Sequence, residues 1–374
     1  MLRSSLLCET IQLAFDERLL ILNSAADAFV PEAALRLPKG ELALAEDNVA
    51  ALQQALDAIR RERAAASLTL RHIPFHEYTL REPGAAMDVA VLNTIYQPGK
   101  AWIEYALQLA AYALKPGGQL YVQGAKDRGI LTLAKHMAGL FGNLETLEIH
   151  KGERVVRSVY NPQTWHPTTH QWHPRGAPLH IEANADQENV VAPLAGARPV
   201  LTPFAAGKLD EGTRLLLEAL EVRVTDEALD IGSGAGYIGY HIASRATKGQ
   251  VTMVDASLAA VDAARRMIEQ RGLSNARALA SDGIQGVREQ RFDLVVTNPP
   301  FHIGGIQTTE IGQRFIREAA QVLRPRGRFY LVANRFLSYE PTMRTCFGLV
   351  EEIGGNTRFK VLRGMRAPAA DYSY

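Results

Sequence analysis

Apolar residues fall along this chain in short runs that stop at polar or glycine-rich turns. Phe292-Asp293-Leu294-Val295-Val296-Thr297 has the length and β-branched content of a buried strand. Leu229-Asp230-Ile231 and Val251-Thr252-Met253-Val254-Asp255 read the same way. Between such runs the period changes to that of a helix. Asn48 or Asp47 can cap a run through Val49, Leu52, Leu56 and Ile59 that ends in arginines. Glu211-Gly212-Thr213 opens another, through Leu215, Leu216, Leu217 and Leu220. Near the end, Thr357 to Arg363 alternates like a final, antiparallel strand. Strand and helix in alternation predict an α/β fold.

The pattern occurs twice. Shifted back by 209 positions, the stretch Leu229 to Gly236 falls on Leu20-Ile21-Leu22-Asn23-Ser24-Ala25-Ala26-Asp27. The same shift carries Val251 to Asp255 onto Leu42 to Glu46, and Leu323-Arg324-Pro325-Arg326-Gly327 onto Leu114-Lys115-Pro116-Gly117-Gly118. Phe292 to Asn298 matches Met87-Asp88-Val89-Ala90-Val91-Leu92-Asn93 at an offset of 205. Anchors in one order at nearly one offset indicate two copies of a βα-repeating domain.

The copies differ in chemistry. Gly232, Gly234 and Gly236 face Asn23, Ala25 and Asp27, and Asn298-Pro299-Pro300-Phe301 faces Asn93-Thr94-Ile95-Tyr96. A backbone that must approach a ligand or take positive φ loses that freedom when its glycines gain side chains. Residues 1–160 therefore read as a fold kept without its chemistry, and residues 161–374 as a linker followed by the working domain. The linker is the poorly periodic stretch from Asn161 to Gly176, rich in proline, tryptophan and histidine.

Length and composition add bounds. A chain of 374 residues can bury two full cores, and 47% hydrophobic with 22% charged residues is ordinary for a globular protein. A net charge of +1 argues neither for nor against a nucleic-acid partner. The first residues lack the long apolar core of a signal peptide, and no apolar stretch approaches ~20 residues, the length of a membrane span. Cys8 and Cys346 form no disulfide or metal framework, which suits a reducing cytoplasm. His166, His170 and His173 have a spacing that could hold a metal, but the surrounding Trp165, Trp172 and prolines suit a packed or RNA-touching linker better, so no metal is expected.

The chemistry concentrates at Asn298-Pro299-Pro300-Phe301. Prolines end the strand abruptly, because they fix φ and donate no ladder hydrogen bond. What remains is a stiff shelf at the carboxyl end of a strand, where ligands bind in open α/β sheets. The glycine turn from Asp230 to Gly239 alone has only the spacing of a dinucleotide fingerprint. Asp255, after the second strand, is placed for ribose hydroxyls, and Asp282, after the next apolar stretch, for an adenine amino group. Arg324, Arg326 and Arg328, and Arg358, Lys360, Arg363 and Arg366 in the tail, form two basic sets that could meet phosphates.

In that order these motifs resemble the S-adenosylmethionine-dependent methyltransferases of the Rossmann-like class. The chain is similar in particular to the small-subunit ribosomal RNA guanine-N2 methyltransferases of the RsmC type, which carry an inactive duplicated domain. The resemblance runs the length of the chain and includes Phe204 to Thr213 and Asn298-Pro299-Pro300-Phe301-His302. It implies two tandem Rossmann-like methyltransferase domains, each a mostly parallel sheet with helices on both faces and an antiparallel final strand. It implies S-adenosyl-L-methionine held by Asp230, Gly232, Ser233, Gly234, Gly236, Asp255, Asp282 and Asn298. Catalysis would fall to Asn298, Pro299, Pro300 and Phe301: Asn298 and the Pro299 carbonyl hold the target amino group while Phe301 stacks on the base. The partner would be ribosomal RNA, with the Phe204 to Thr213 segment closing over the cofactor.

Other readings use the same residues. The shelf could present a large-subunit guanine, an adenine N6 or a glutamine amide, although Phe301 and the degenerate first copy argue for the ribosomal guanine enzymes. A nicotinamide oxidoreductase would use the glycine turn but leave Asn298 to Phe301 unexplained. A non-catalytic ribosome-assembly factor would leave the intact glycines and Asn298 without purpose.

Overall fold

The computed structural model describes residues 5–62, 67–166, 209–300 and 309–368, and the backbone of 302–303 and 306–307. The chain divides into two compact units, residues 1–201 and 202–374.

In the first unit the strands are β1 (Arg18–Leu22), β2 (Glu41–Glu46), β3 (Thr69–Pro74), β4 (Met87–Asn93), β5 (Leu114–Ala125), β6 (Glu145–His150) and β7 (Glu153–Val159). They form one sheet in the order β3-β2-β1-β4-β5-β7-β6. The second unit has β8 (Ala228–Ile231), β9 (Val251–Asp255), β10 (Ala276–Ala280), β11 (Phe292–Thr297), a short hairpin of β12 (His302–Ile303) and β13 (Ile306–Gln307), then β14 (Leu323–Asn334), β15 (Leu349–Gly355) and β16 (Phe359–Met365). Its main sheet runs β10-β9-β8-β11-β14-β16-β15, the same order strand for strand. The first five strands of each sheet are parallel, and β7 and β16 are antiparallel to both neighbours. The alternation from Thr357 to Arg363 thus becomes β16, inserted between β14 and β15.

Both faces of the second sheet are covered. Leu229, Ile231, Val295, Phe329 and Leu331 pack against Phe315, Ile316 and Ala319 of the Glu310–Val322 helix. Ala228, Leu294, Val296, Tyr330 and Val332 pack on the other side against Leu216, Ile242 and Val261. This explains the near-continuous apolar runs: a central parallel strand has no solvent face to alternate toward.

Small polar ties recur at the repeat offsets. The side chain of Asn48 caps the Val49–Arg61 helix, and Ser257, 209 positions on, caps Leu258–Gln270. Asp88 accepts from the Arg18 N–H at 2.9 Å and pairs with Lys115 at 2.8 Å. Asp293 accepts from the Glu227 N–H at 3.1 Å and pairs with Arg324 at 2.7 Å. One acid therefore pins the same strand starts in each copy.

Two expectations change. The break between units falls later than 160/161, because Trp165 is buried edge-on to Phe141, with ring centroids 4.9 Å apart. His166 donates its backbone N–H to the Leu140 carbonyl at 2.9 Å, so residues 161–166 finish the first unit. His170, His173 and Trp172 lie outside the described residues. The basic tail is also mostly committed: Arg358 pairs with Glu211, Lys360 with Glu340 and Arg363 with Glu351, while Arg366 donates to the Leu323 carbonyl. Of the other basic set, Arg324 meets Asp293, and Arg328 is buried with both Asp226 oxygens within 2.6 Å of its Nη2.

Candidate active site

β8 ends in a turn with three left-handed glycines in five residues: Gly232 at φ 70°, Gly234 at 54° and Gly236 at 86°. The second strand holds this turn in place. Gly232 and Ser233 donate to the Val254 carbonyl at 2.8 and 3.1 Å, and Gly234 N–H donates to Asp255 Oδ2 at 2.8 Å. Asp255 accepts at its other oxygen from Ser257 N–H, also at 2.8 Å. Burial raises its pKa, and these N–H donors work against that rise.

The glycines are needed for different reasons. A Cβ on Gly234 would meet no atom of the described residues within 4 Å, so among them this backbone faces open space. A Cβ on Gly236 would lie 2.7 Å from Met267 Cε and 3.1 Å from Ala264 Cβ. Gly236 is thus required for close packing of the following helix.

Asp230 lies beneath the turn with no exposed surface. Its Oδ2 accepts from Gly239 N–H at 2.9 Å, and its Oδ1 has no partner among the described residues. Burial pushes its pKa up to about 7, with the Gly239 donor opposing and the charge of Asp255 adding. The buried Ser233 hydroxyl likewise lacks a partner. Leaving a buried polar atom unpaired costs about 1–3 kcal/mol. Two such atoms beside an open glycine offer polar partners to a ligand, so these residues fit the amino-acid end of the expected cofactor.

Asn298 follows β11 and lines the same cleft as Leu209, Asp210, Thr213, Gly232, Ser233 and Gly234. Its Nδ2 donates to Thr213 Oγ1 at 2.9 Å and lies 3.4 and 3.5 Å from the Asp210 carboxylate oxygens. Its Oδ1 accepts from no described residue. Pro299 is buried and Pro300 half-buried. Phe301 lies outside the described residues, as do the side chains of the β12–β13 hairpin. Asp282 is ion-paired with Arg314 at 2.6 Å, so a base amino group would share it with that guanidinium. Sequence reasoning did not assign Asp210 or Thr213 a role, although Asp-x-x-Thr at a helix start is a recognisable capping pattern.

The matching place in the first unit is closed on itself. Asn23, at φ 45°, keeps the left-handed turn that Gly232 makes in the second. Glu46 Oε2 accepts from Ala25 N–H at 2.8 Å, as Asp255 does from Gly234. Gln97 is buried and threads its amide into the turn, donating to the Asn23 carbonyl at 2.9 Å and the Asn93 carbonyl at 3.1 Å. The Asn93 carboxamide is used at both ends: Nδ2 donates to Asp27 at 2.7 Å, and Oδ1 accepts from Ile95 N–H at 3.1 Å. An open cavity of about 1090 Å³ does lie along this edge, lined in part by Tyr96, Gln123, Lys126 and Glu153. Its size says little about chemistry, because Gln97 has already taken the polar groups of the turn.

Residues 201–363 match the family model "Methyltransferase small domain". The chain is 30% identical over 366 residues to the ribosomal RNA small subunit methyltransferase C of Shewanella pealeana, covering 97% of this chain and 98% of that one. It is 34% identical to the Hahella chejuensis protein of the same name over 265 residues, 71% of this chain and 74% of that one. This chain belongs to the ribosomal RNA small subunit methyltransferase C family. Among solved structures, it is similar to the T. thermophilus 16S rRNA N2 G1207 methyltransferase (RsmC) in complex with AdoMet and guanosine, with a TM-score of 0.73 at 29% identity. That match covers 96% of this chain and 91% of the other, so the likeness to the methyltransferase C fold spans both units.

Proposed function

We propose that the protein transfers a methyl group from S-adenosylmethionine to the exocyclic N2 amino group of a guanine in 16S ribosomal RNA. Membership of the methyltransferase C family supplies the reaction class, the cofactor and the RNA. The observation that carries the reading to this chain's own residues is a carboxamide, Asn298, held by its nitrogen beside the open glycine turn, with no described residue bonding its oxygen.

Gly232, Ser233 and Gly234, with Asp230 below them, hold the amino-acid end of the cofactor, Asp255 the ribose and Asp282 the adenine. When bound, the cofactor supplies a sulfonium methyl, an electrophile that needs no metal. Asn298 Oδ1 and the Pro299 carbonyl accept the two N–H bonds of the guanine amino group. That grip aims the nitrogen, whose lone pair is otherwise delocalised into the ring, and favours its pyramidal geometry at the transition state. Phe301 gives the unstacked base an aromatic face. A strong base is unnecessary, because the proton leaves from a nitrogen made acidic by the new bond.

The first unit, with its turn filled by Gln97, serves as a scaffold without a cofactor site. The site of action is the cytoplasm and the substrate ribosomal RNA within the small subunit. No helix among the described residues is long and apolar enough to cross a membrane. The test is mass spectrometry of ribosomal RNA from cells lacking the protein, followed by restoration with purified protein on small subunits, large subunits and naked RNA. Loss of one N2-methylguanine from 16S RNA, restored on small subunits, is expected. Unaltered 16S methylation would overturn the reading.

A further inference from the structure

The nitrogen of Asn298 faces a two-residue arrangement whose polarity is decided. Asp210 precedes the Glu211–Ala219 helix and caps it, with Oδ1 accepting from Thr213 N–H at 3.0 Å. Its other oxygen takes the Thr213 hydroxyl proton in a short hydrogen bond. A carboxylate only accepts, and a hydroxyl has one proton to give. With that proton spent on Asp210, Thr213 Oγ1 can only accept from the group 2.9 Å away, which is Asn298 Nδ2. The reversed amide would set its oxygen against a hydroxyl lone pair and two carboxylate oxygens within 3.5 Å.

We propose that Asp210 and Thr213 are positioning residues for methyl transfer, fixing the Asn298 carboxamide with its oxygen toward the target amino group. The inference rests on the function proposed above and deepens it. The relay has a second consequence. As the methyl moves, the guanine nitrogen gains positive charge while Asn298 Oδ1 remains its acceptor. A carboxylate drawing on the far end of the same amide, through Thr213, makes that oxygen more negative and the acceptor stronger as charge develops. The pair therefore acts more strongly in the transition state than in the bound substrate, and removing it should lower kcat more than it weakens binding.

The measurement is single-turnover and steady-state methylation of small subunits by full-length Thr213→Val, Thr213→Ser, Asn298→Ala and the Thr213→Val/Asn298→Ala double variant. S-adenosylmethionine affinity and melting midpoint are recorded for each. Valine keeps the shape and removes the hydroxyl, so kcat should fall on the order of 10–100-fold, by analogy with the loss of one preorganised hydrogen bond. Cofactor affinity should stay within about twofold, while serine restores most of the rate because it keeps the hydroxyl. In the Asn298→Ala background Thr213→Val should cost nothing further, since a relay with no carboxamide to orient is idle. Wild-type kcat in Thr213→Val, a loss confined to cofactor affinity, or losses that multiply in the double variant would each overturn the proposal. A wild-type enzyme inactive on small subunits would instead sink the functional reading on which it rests.

Discussion

The two units share one strand order, a side-chain cap at Asn48 and Ser257 and an acid bonding the turn, Glu46 and Asp255, yet their polar groups end up in opposite conditions. In the first, Asn93, Ser24, Asn23 and Gln97 bond one another. In the second, among the described residues, nothing bonds the Oδ1 of the aligned Asn298, and the Ser233 hydroxyl and one Asp230 carboxylate oxygen are unpaired. The first copy has Ile21 where the second has Asp230, removing the acid whose burial is hardest to support. A fold can persist with its polar groups satisfied internally. A binding site needs polar groups that the fold leaves for a ligand to satisfy, at a cost of about 1–3 kcal/mol for each one buried without a partner. At this one edge of the sheet, open polar groups rather than cavity size set the second copy apart from the first.

Paired variants in the two units test that contrast. The largest effect should come from Asp226→Ala, which leaves Arg328 buried without its partner; loss of one member of a buried pair costs about 3–5 kcal/mol. The aligned Glu17 and Gln119 form no such pair, and Glu17→Ala should be nearly neutral. Chemical denaturation of the two variants decides this, and equal destabilisation would refute the asymmetry.

Next come the two asparagines. Asn298→Ala should reduce turnover by about 10²–10³-fold with cofactor affinity little changed, as for loss of an oriented transition-state contact. Asn93→Ala should leave turnover intact and cost about 1–3 kcal/mol of stability, because Asp27 and the Ile95 N–H lose their partner. Paired kinetics and melting measurements would contradict the division of roles if the two patterns were exchanged.

Gly234→Ala places a methyl in open space at φ 54°, so the folding penalty is about 1–2 kcal/mol from left-handed backbone alone. In the proposed site the added methyl would crowd the cofactor, and calorimetry should show weakened S-adenosylmethionine binding. Unaltered affinity would place the cofactor elsewhere.

The smallest effect concerns pH. The native pKa of Asp230 is raised from 3.8 to about 7, so the folded protein retains a proton that the unfolded chain has released. Stability of the ligand-free protein should therefore decline as pH rises from about 4 to about 7 and level off above it. Glu46, raised from 4.5 to about 7 by burial, contributes in the same sense. Asp230→Asn should remove part of that slope in melting curves taken across this range. A slope identical to wild type would show that Asp230 ionises freely.

Much of this could be read before any coordinates. Repeat offsets of 209 and 205 announced the duplication that the two identical strand orders show, and the lost glycines marked where the copies differ. Asn48 capped its helix as expected, and Asn298 lies in one cleft with Gly232 and Gly234. Other features had no local signal. Gln97 looks like any loop glutamine, and only the closing of β1 and β4 onto one edge carries its amide into the Asn23 turn. Gly236 belongs to the same glycine pattern as Gly234, but the helix behind it assigns it to packing.

The period of each element and the repeated order of motifs are legible in the residues alone, because both are patterns written along the chain. Tertiary structure alone decided which polar atoms find partners. Asp210 and Asn298 are 88 positions apart, and whether an amide oxygen is spent or free depends on groups that only the folded sheet brings within hydrogen-bond distance.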